Sequence, residues 1–178
     1  MQSRQLPPDV AAIEGILLVC GLDRPEYVHH PVLSPIRTCV SYIVRTRAED
    51  FNQMLDDARI ESVAGLARLG RGMLHMNREG GMNWGRALAL LALGCTAIRR
   101  LSPNRHLTAF AMGMFPLYMY QAIGPQWFRA HGGWSGFKIY CERYTQEQET
   151  LRLLLVFAAV GLVAAVSACW VAYRRGSW

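Results

Sequence analysis

Two consecutive stretches leave this chain few ways to fold. Ala87–Ile98 carries no charged residue, and neither do the 17 residues of Leu107–Ile123. A helix that is apolar around its whole circumference has no face to offer water, so it sits in a protein core or in a bilayer. The first stretch is too short to cross a hydrocarbon layer of about 30 Å. The second contains Pro116, which removes a helical hydrogen bond and favours a kink. A buried central hairpin wrapped by amphipathic helices satisfies both facts.

The preceding residues supply the wrapping. Val10, Ile13, Leu17 and Cys20 share one face of a first helix, which Asp9 is placed to cap and Gly21 to close. Pro25, Pro31 and Pro35 punctuate a loop from about Asp23 to Ser34. Ser34 then reads as the cap of a second helix, with Pro35 at its first position and Ile36, Val40, Ile43 and Val44 on its apolar stripe. Phe51, Met54, Leu55 and Ala58 mark a short third helix, and Leu66, Leu69, Met73 and Met76 a fourth. No strand-like alternation competes, so the fold class is all-α.

Leu153–Tyr173 is a third uncharged run, 21 residues long. At about 1.5 Å per residue, a helix of that length crosses a bilayer core. Arg152 and Arg174–Arg175 flank it, and Trp170, Tyr173 and Trp178 stand near its end, where interfacial aromatics belong. The expected organisation is a helical domain over 1–151 and a C-terminal transmembrane anchor over 152–178, inserted after synthesis. Met1–Asp9 is polar and has no signal-peptide pattern, so the helical domain is expected to face the cytosol. The composition agrees: 52% of residues are hydrophobic and only 18% charged, against about 25% charged in an average soluble protein.

Several function classes fall away. The net charge is +6, but the basic residues are scattered and form no stripe with aromatics, so nucleic acid is not an expected partner. Cys20, Cys39, Cys95, Cys141 and Cys169 are far apart in the chain and form no CxxC, and the five histidines lack metal-ligand spacing. Buried, reduced thiols and no metal are expected. Gly133-Trp134-Ser135-Gly136 begins like a nucleophile elbow, but Phe137 occupies the place of the final glycine. With no P-loop or dinucleotide fingerprint either, neither catalysis nor a cofactor is expected.

Two motifs remain. Gly80-Gly81-Met82-Asn83-Trp84-Gly85-Arg86 precedes the first apolar run. Asn83 is a good N-cap, and Gly85 permits close approach by another chain segment. Arg86 is out of place, because a cation in a helix's first turn opposes the macrodipole at a cost of ~0.3–1 kcal/mol; a carboxylate partner would account for it. After the second apolar run comes Gly124-Pro125-Gln126-Trp127-Phe128, then Gly132-Gly133-Trp134. Read alone, this is a tight helix–helix corner with tryptophans packed beneath it.

Together the motifs are specific. Asn83–Arg86 resembles the BH1 motif of the Bcl-2 family, and Gln126-Trp127 through Gly132-Gly133-Trp134 resembles its BH2 motif, with Trp84 and Trp127 as structural members. Their order, the apolar pair between them and the anchor follow that family's plan along essentially the whole chain. Stretches such as His30–Ile36 and Ala122–Ala130 are similar to the Bcl-2 homologues of gammaherpesviruses, specifically rhadinoviruses.

The resemblance implies a Bcl-2-like bundle around a central hairpin, with a surface groove that binds the amphipathic BH3 helix of pro-apoptotic relatives. Arg86 would then pair with the ligand's aspartate, with Asn83 as a polar contact and Gly85 as space for the helix. Phe51, Leu55 and Ala58 are expected on one groove wall, Leu69, Met73 and Met76 on the other, and Ala89 and Leu93 on the floor. Each of these apolar residues also fits an ordinary core face. Implied partners are Bax, Bak and BH3-only proteins, with Beclin, and through it autophagy, as a further target. The implied location is the mitochondrial outer membrane or endoplasmic reticulum of a host cell. Val44-Arg45 replaces the Gly-Asp pair of a self-presented BH3 segment, so the second helix is expected to be structural. The competing reading is a small polytopic membrane protein or channel, against which Pro116 and the short Ala87–Ile98 run both count.

Overall fold

Apolar spacing of three to four residues turns into helix throughout the described chain. The structure is a computed structural model describing residues 7–24, 33–75, 81–148 and 150. In order these are α1 (Pro8–Leu22), α2 (Leu33–Thr46), α3 (Ala48–Ala58), α4 (Val63–His75), α5 (Trp84–Leu101), α6 (Arg105–Ile123) and α7 (Pro125–Ala130). An eighth helix, α8, covers 133–148, and no strand occurs among the described residues. The chain to Cys141 forms one compact unit, to which the contacts below belong; residues from Glu142 onward form a second.

α5 is the axis of the first unit. Every residue from Leu90 to Ile98 is buried, and α1, α2, α3 and α6 all pack against it. α1 lies parallel to it, with Leu17 against Gly94 and Gly21 against Ile98. A Cβ at Gly21 would stand 2.9 Å from Ile98 Cγ2 and 3.3 Å from the Cys95 carbonyl oxygen. Gly21, expected to close α1, instead serves close helix approach; the helix runs on to Leu22 and ends at Asp23, in the left-handed region at φ 51°.

α6 departs from the expected buried partner. Leu107, Ala111, Phe115, Met119 and Ala122 face inward, but Phe110 and Leu117 are exposed, so the hairpin is wrapped fully on α5 and on one side of α6. The helix continues through Pro116, whose missing N–H deprives the Met112 carbonyl of its helical donor. Asn104 caps it, its side-chain oxygen accepting from the Leu107 N–H at 3.1 Å.

Two capping expectations are corrected. α1 begins at Pro8 with no side-chain cap; the Asp9 carboxylate instead accepts from Trp134 Nε1 at 2.9 Å and from the Tyr120 hydroxyl at 3.2 Å. A carboxylate with two long-range donors is worth more as a tie between α1, α6 and α8 than as a local cap. α2 begins at Leu33, so Ser34 lies in its first turn and Pro35 two positions further in than expected. Among the described residues no helix is long and apolar enough to cross a membrane; the expected anchor at 152–178, and Met76, lie outside them.

Candidate binding site

The site begins with a turn. Ser62 caps α4, its hydroxyl oxygen accepting from the Gly65 N–H at 3.1 Å, while Arg59 ends α3 in the left-handed region at φ 54°. Gly65 lies directly against the Arg59 carbonyl, where any side chain would collide with backbone. This close contact sets the angle between α3 and α4, the two expected groove walls. The Arg100 guanidinium pairs with Asp56 at 2.6 Å and Glu61 at 2.5 Å, tying the end of α5 to the same corner. Hydrogen bonding to Asp56, then to Glu61, raises its pKa above the ordinary arginine value.

The expected wall residues line the inner sides of these helices. Leu55 and Met73 are fully buried, and Phe51, Ala58, Leu69 and Leu93 nearly so, with Phe51 and Leu69 each 7% exposed. Ala89 on α5 is half-buried. α3 packs on α4 and on α5, and α4 packs also on α6; Met54 of α3 points outward at 47% exposure. The expected wall residues are therefore covered by neighbouring helices.

At the start of α5 the motif residues have the expected local roles. Asn83 is extended (φ −145°, ψ 167°), and its Oδ1 accepts from the Arg86 N–H at 2.8 Å. A Cβ on Gly85 would lie 3.2 Å from the Tyr140 hydroxyl and 3.3 Å from Asn83 Oδ1, so the glycine keeps this corner narrow. The Arg86 side chain turns back so that Nη1 donates to the Gly81 carbonyl at 2.8 Å; Gly81 is in the left-handed region at φ 75°.

The two motifs are joined by aromatic packing. Trp84 stacks on Phe137 (centroids 5.0 Å apart, planes 10° apart) and meets Trp127 edge-on at 4.7 Å and Phe128 at 5.8 Å. Trp134 meets Phe128 edge-on at 5.1 Å, and Trp127 stacks on His131 at 4.4 Å. Gly132 and Gly133 both have positive φ, 88° and 57°, and make the turn that brings α8 back onto α7. Phe137, which broke the nucleophile elbow, is a core residue of this cluster.

Sequence reasoning missed Tyr140 beside Gly85, the Gly81 carbonyl under Arg86 and the Arg59–Gly65 contact. Ser62 ahead of an apolar-periodic run was a readable cap signal; the other three depend on segments that meet only after folding.

Comparison with known proteins gives the same picture. The family profile described as "Apoptosis regulator proteins, Bcl-2 family" matches residues 36–134. The chain is similar to the "Apoptosis regulator Bcl-2 homolog" of Human herpesvirus 8 type P (isolate GK18), 42% identical over 98% of this chain and 100% of that protein. It is also similar to the "Anti-apoptotic protein NR13" of Gallus gallus, 30% identical over 57% of this chain and 58% of the relative. The NR13 of Coturnix japonica is 28% identical over the same shares.

Proposed function

The chain belongs to the Bcl-2 family of apoptosis regulator proteins, and on that footing we propose that it is an anti-apoptotic, non-catalytic member that binds BH3 helices between α3, α4 and α5. The observation that carries the reading is the setting of Arg86. Its backbone is pinned by the Asn83 cap at the start of α5, which fixes a guanidinium in the first turn of that helix. Charge-assisted hydrogen bonds are roughly twice as strong as neutral ones. An aspartate on an incoming helix that met this guanidinium would therefore gain a charge-assisted bond and offset the unfavourable position of a cation in a first turn. The names of the similar proteins, an apoptosis regulator and two anti-apoptotic proteins, support the pro-survival direction.

Because the inner faces of α3 and α4 are buried against neighbouring helices, ligand entry in this reading requires α3 to move outward. α3 is a short helix, and Phe51 at its start and Leu69 across from it are the buried residues an entering helix would meet at the rim. Met73 gives the pocket a side chain that repacks around different anchors. Bax, Bak and BH3-only proteins are the proposed ligands, with Beclin as a further one. The uncharged run Leu153–Tyr173 would hold the complex on the mitochondrial outer membrane or endoplasmic reticulum of the host cell.

Calorimetric titration of the protein with a panel of BH3 peptides tests this. Saturable binding of one peptide per chain is expected; no heat or competition with any peptide of the panel would sink the proposal.

A further inference from the structure

Cys20 and Cys95, 75 positions apart in the chain, meet at the seam of α1 and α5. Cys95 Sγ lies 3.9 Å from the Ile16 carbonyl, to which it donates. One turn on, Arg99 Nη2 donates to the Cys20 carbonyl at 2.9 Å. These two contacts bracket the facing turns and bring Cys95 against the turn of α1 that carries Cys20. Cys20 also donates to the Arg37 carbonyl at 3.8 Å and accepts from the Ser41 hydroxyl at 3.5 Å, both on α2. Ser41 is exposed, so the Cys20 sulfur lies just beneath the surface, whereas Cys95 is fully buried.

Arg37 supplies an independent observation. Its Nε is buried and makes no hydrogen bond, although a buried N–H without an acceptor is costly. A thiolate at Cys20 would be an acceptor beside that charge. The Arg37 guanidinium and the Ser41 hydroxyl, both from α2, therefore flank one sulfur. They oppose the partial negative charge of the C-terminal turn of α1.

We propose that Cys20 is an oxidation-sensitive nucleophile toward small hydroperoxides and that Cys95 resolves it, forming an α1–α5 disulfide. The Cys20 thiolate attacks the peroxide O–O bond: an S–O bond forms, the O–O bond breaks, and its electron pair leaves with hydroxide. Sulfur of Cys95 then attacks the sulfenic sulfur. The S–S bond forms, the S–O bond breaks, and the departing hydroxide takes the Cys95 proton as water. Two thiols lose two electrons in all, and one hydrogen peroxide becomes two waters. The ordering of roles follows from the surroundings: the Cys95 hydrogen bond, Ser41 and Arg37 outweigh burial and bring the Cys20 pKa down to about 7, while burial pushes Cys95 well up. A low-pKa thiol near the surface beside a resolving partner is the arrangement of redox-sensitive cysteines.

The test is hydrogen peroxide treatment of the full chain carrying Cys169→Ser, followed by alkylation and peptide mass mapping. The expected product joins Cys20 to Cys95 and leaves Cys39 and Cys141 alkylated. In Cys95→Ser, a dimedone adduct should collect on Cys20, and Arg37→Gln should slow the loss of the Cys20 thiol about threefold or more. Equal consumption of Cys39 or Cys141, a bridge from Cys20 to Cys39, or a Cys20 thiol untouched by peroxide would each overturn the proposal. Because the cysteine map of the Cys169→Ser chain alone decides between these outcomes, a poorly folding Cys95 or Arg37 variant does not blunt the test.

Discussion

Arg86 and Cys20 are the two side chains whose surroundings do most to suggest a function. Replacing Arg86 with alanine removes a charge-assisted bond to a ligand carboxylate, and BH3 affinity should fall by ~1.5–3 kcal/mol. Calorimetry on the same peptides checks this, and an unchanged affinity would take Arg86 out of the site. The thiol pair makes a prediction about pH. With its folded pKa lowered to about 7, Cys20 loses its proton in the native state before it does in the unfolded chain. Stability should therefore rise from about pH 7 towards the ordinary thiol value of about 8.5. Cys95 has the opposite shift, so the native pair keeps a proton that the unfolded chain gives up, and stability should fall again above that value. Tyr120, raised first by burial and then by its bond to Asp9, adds to the loss beyond about pH 10. Urea midpoints measured across this range should show a maximum between about pH 7 and 9. Cys20→Ser should remove the rising limb, and a rise that persists in that variant would assign it elsewhere.

Elements are positioned here by close approach as much as by apolar area. Gly65 meets backbone at Arg59, whereas Gly94 meets the flexible end of Met119. Gly65→Ala should therefore destabilise the protein by about 1–3 kcal/mol through overpacking. Gly94→Ala should cost less, because a thioether chain can rotate away. Thermal or urea unfolding compares the two, and equal losses would mean that Met119 has no room to move. Removing Trp84 should take away about 3–5 kcal/mol, since its ring meets Trp127, Phe128 and Phe137 together. Helix number and type were legible because each apolar stripe repeats at the helical period. Helix starts were read less well. Asp9 looked like a cap in one dimension, but its donors come from Trp134 and Tyr120, more than 100 positions away. Nothing in local spacing distinguishes a capping carboxylate from a tertiary one.

At the scale of the whole molecule, the proposed anchor separates from the helical domain by a simple cut. Deleting 152–178 should abolish sedimentation with membranes while preserving BH3 binding. A truncated protein that still pellets with vesicles would locate membrane affinity in the helices, and the exposed Phe110 and Leu117 on α6 would be the first residues to examine. That α5 is a core helix follows from composition alone, because a segment apolar on all sides has nowhere else to go in a chain too short there to span a bilayer. Likewise the BH1-like and BH2-like motifs could be read directly, since their cap, glycines and tryptophans act through local geometry and side-chain type. What the linear order could not decide was how much of α6 is covered, or that Leu55 and Met73 lie buried in facing helices. Nor could it show that two cysteines 75 positions apart meet at one helix seam. Those outcomes depend on which surfaces meet when amphipathic helices close around α5, and burial is a property of the neighbour as much as of the residue.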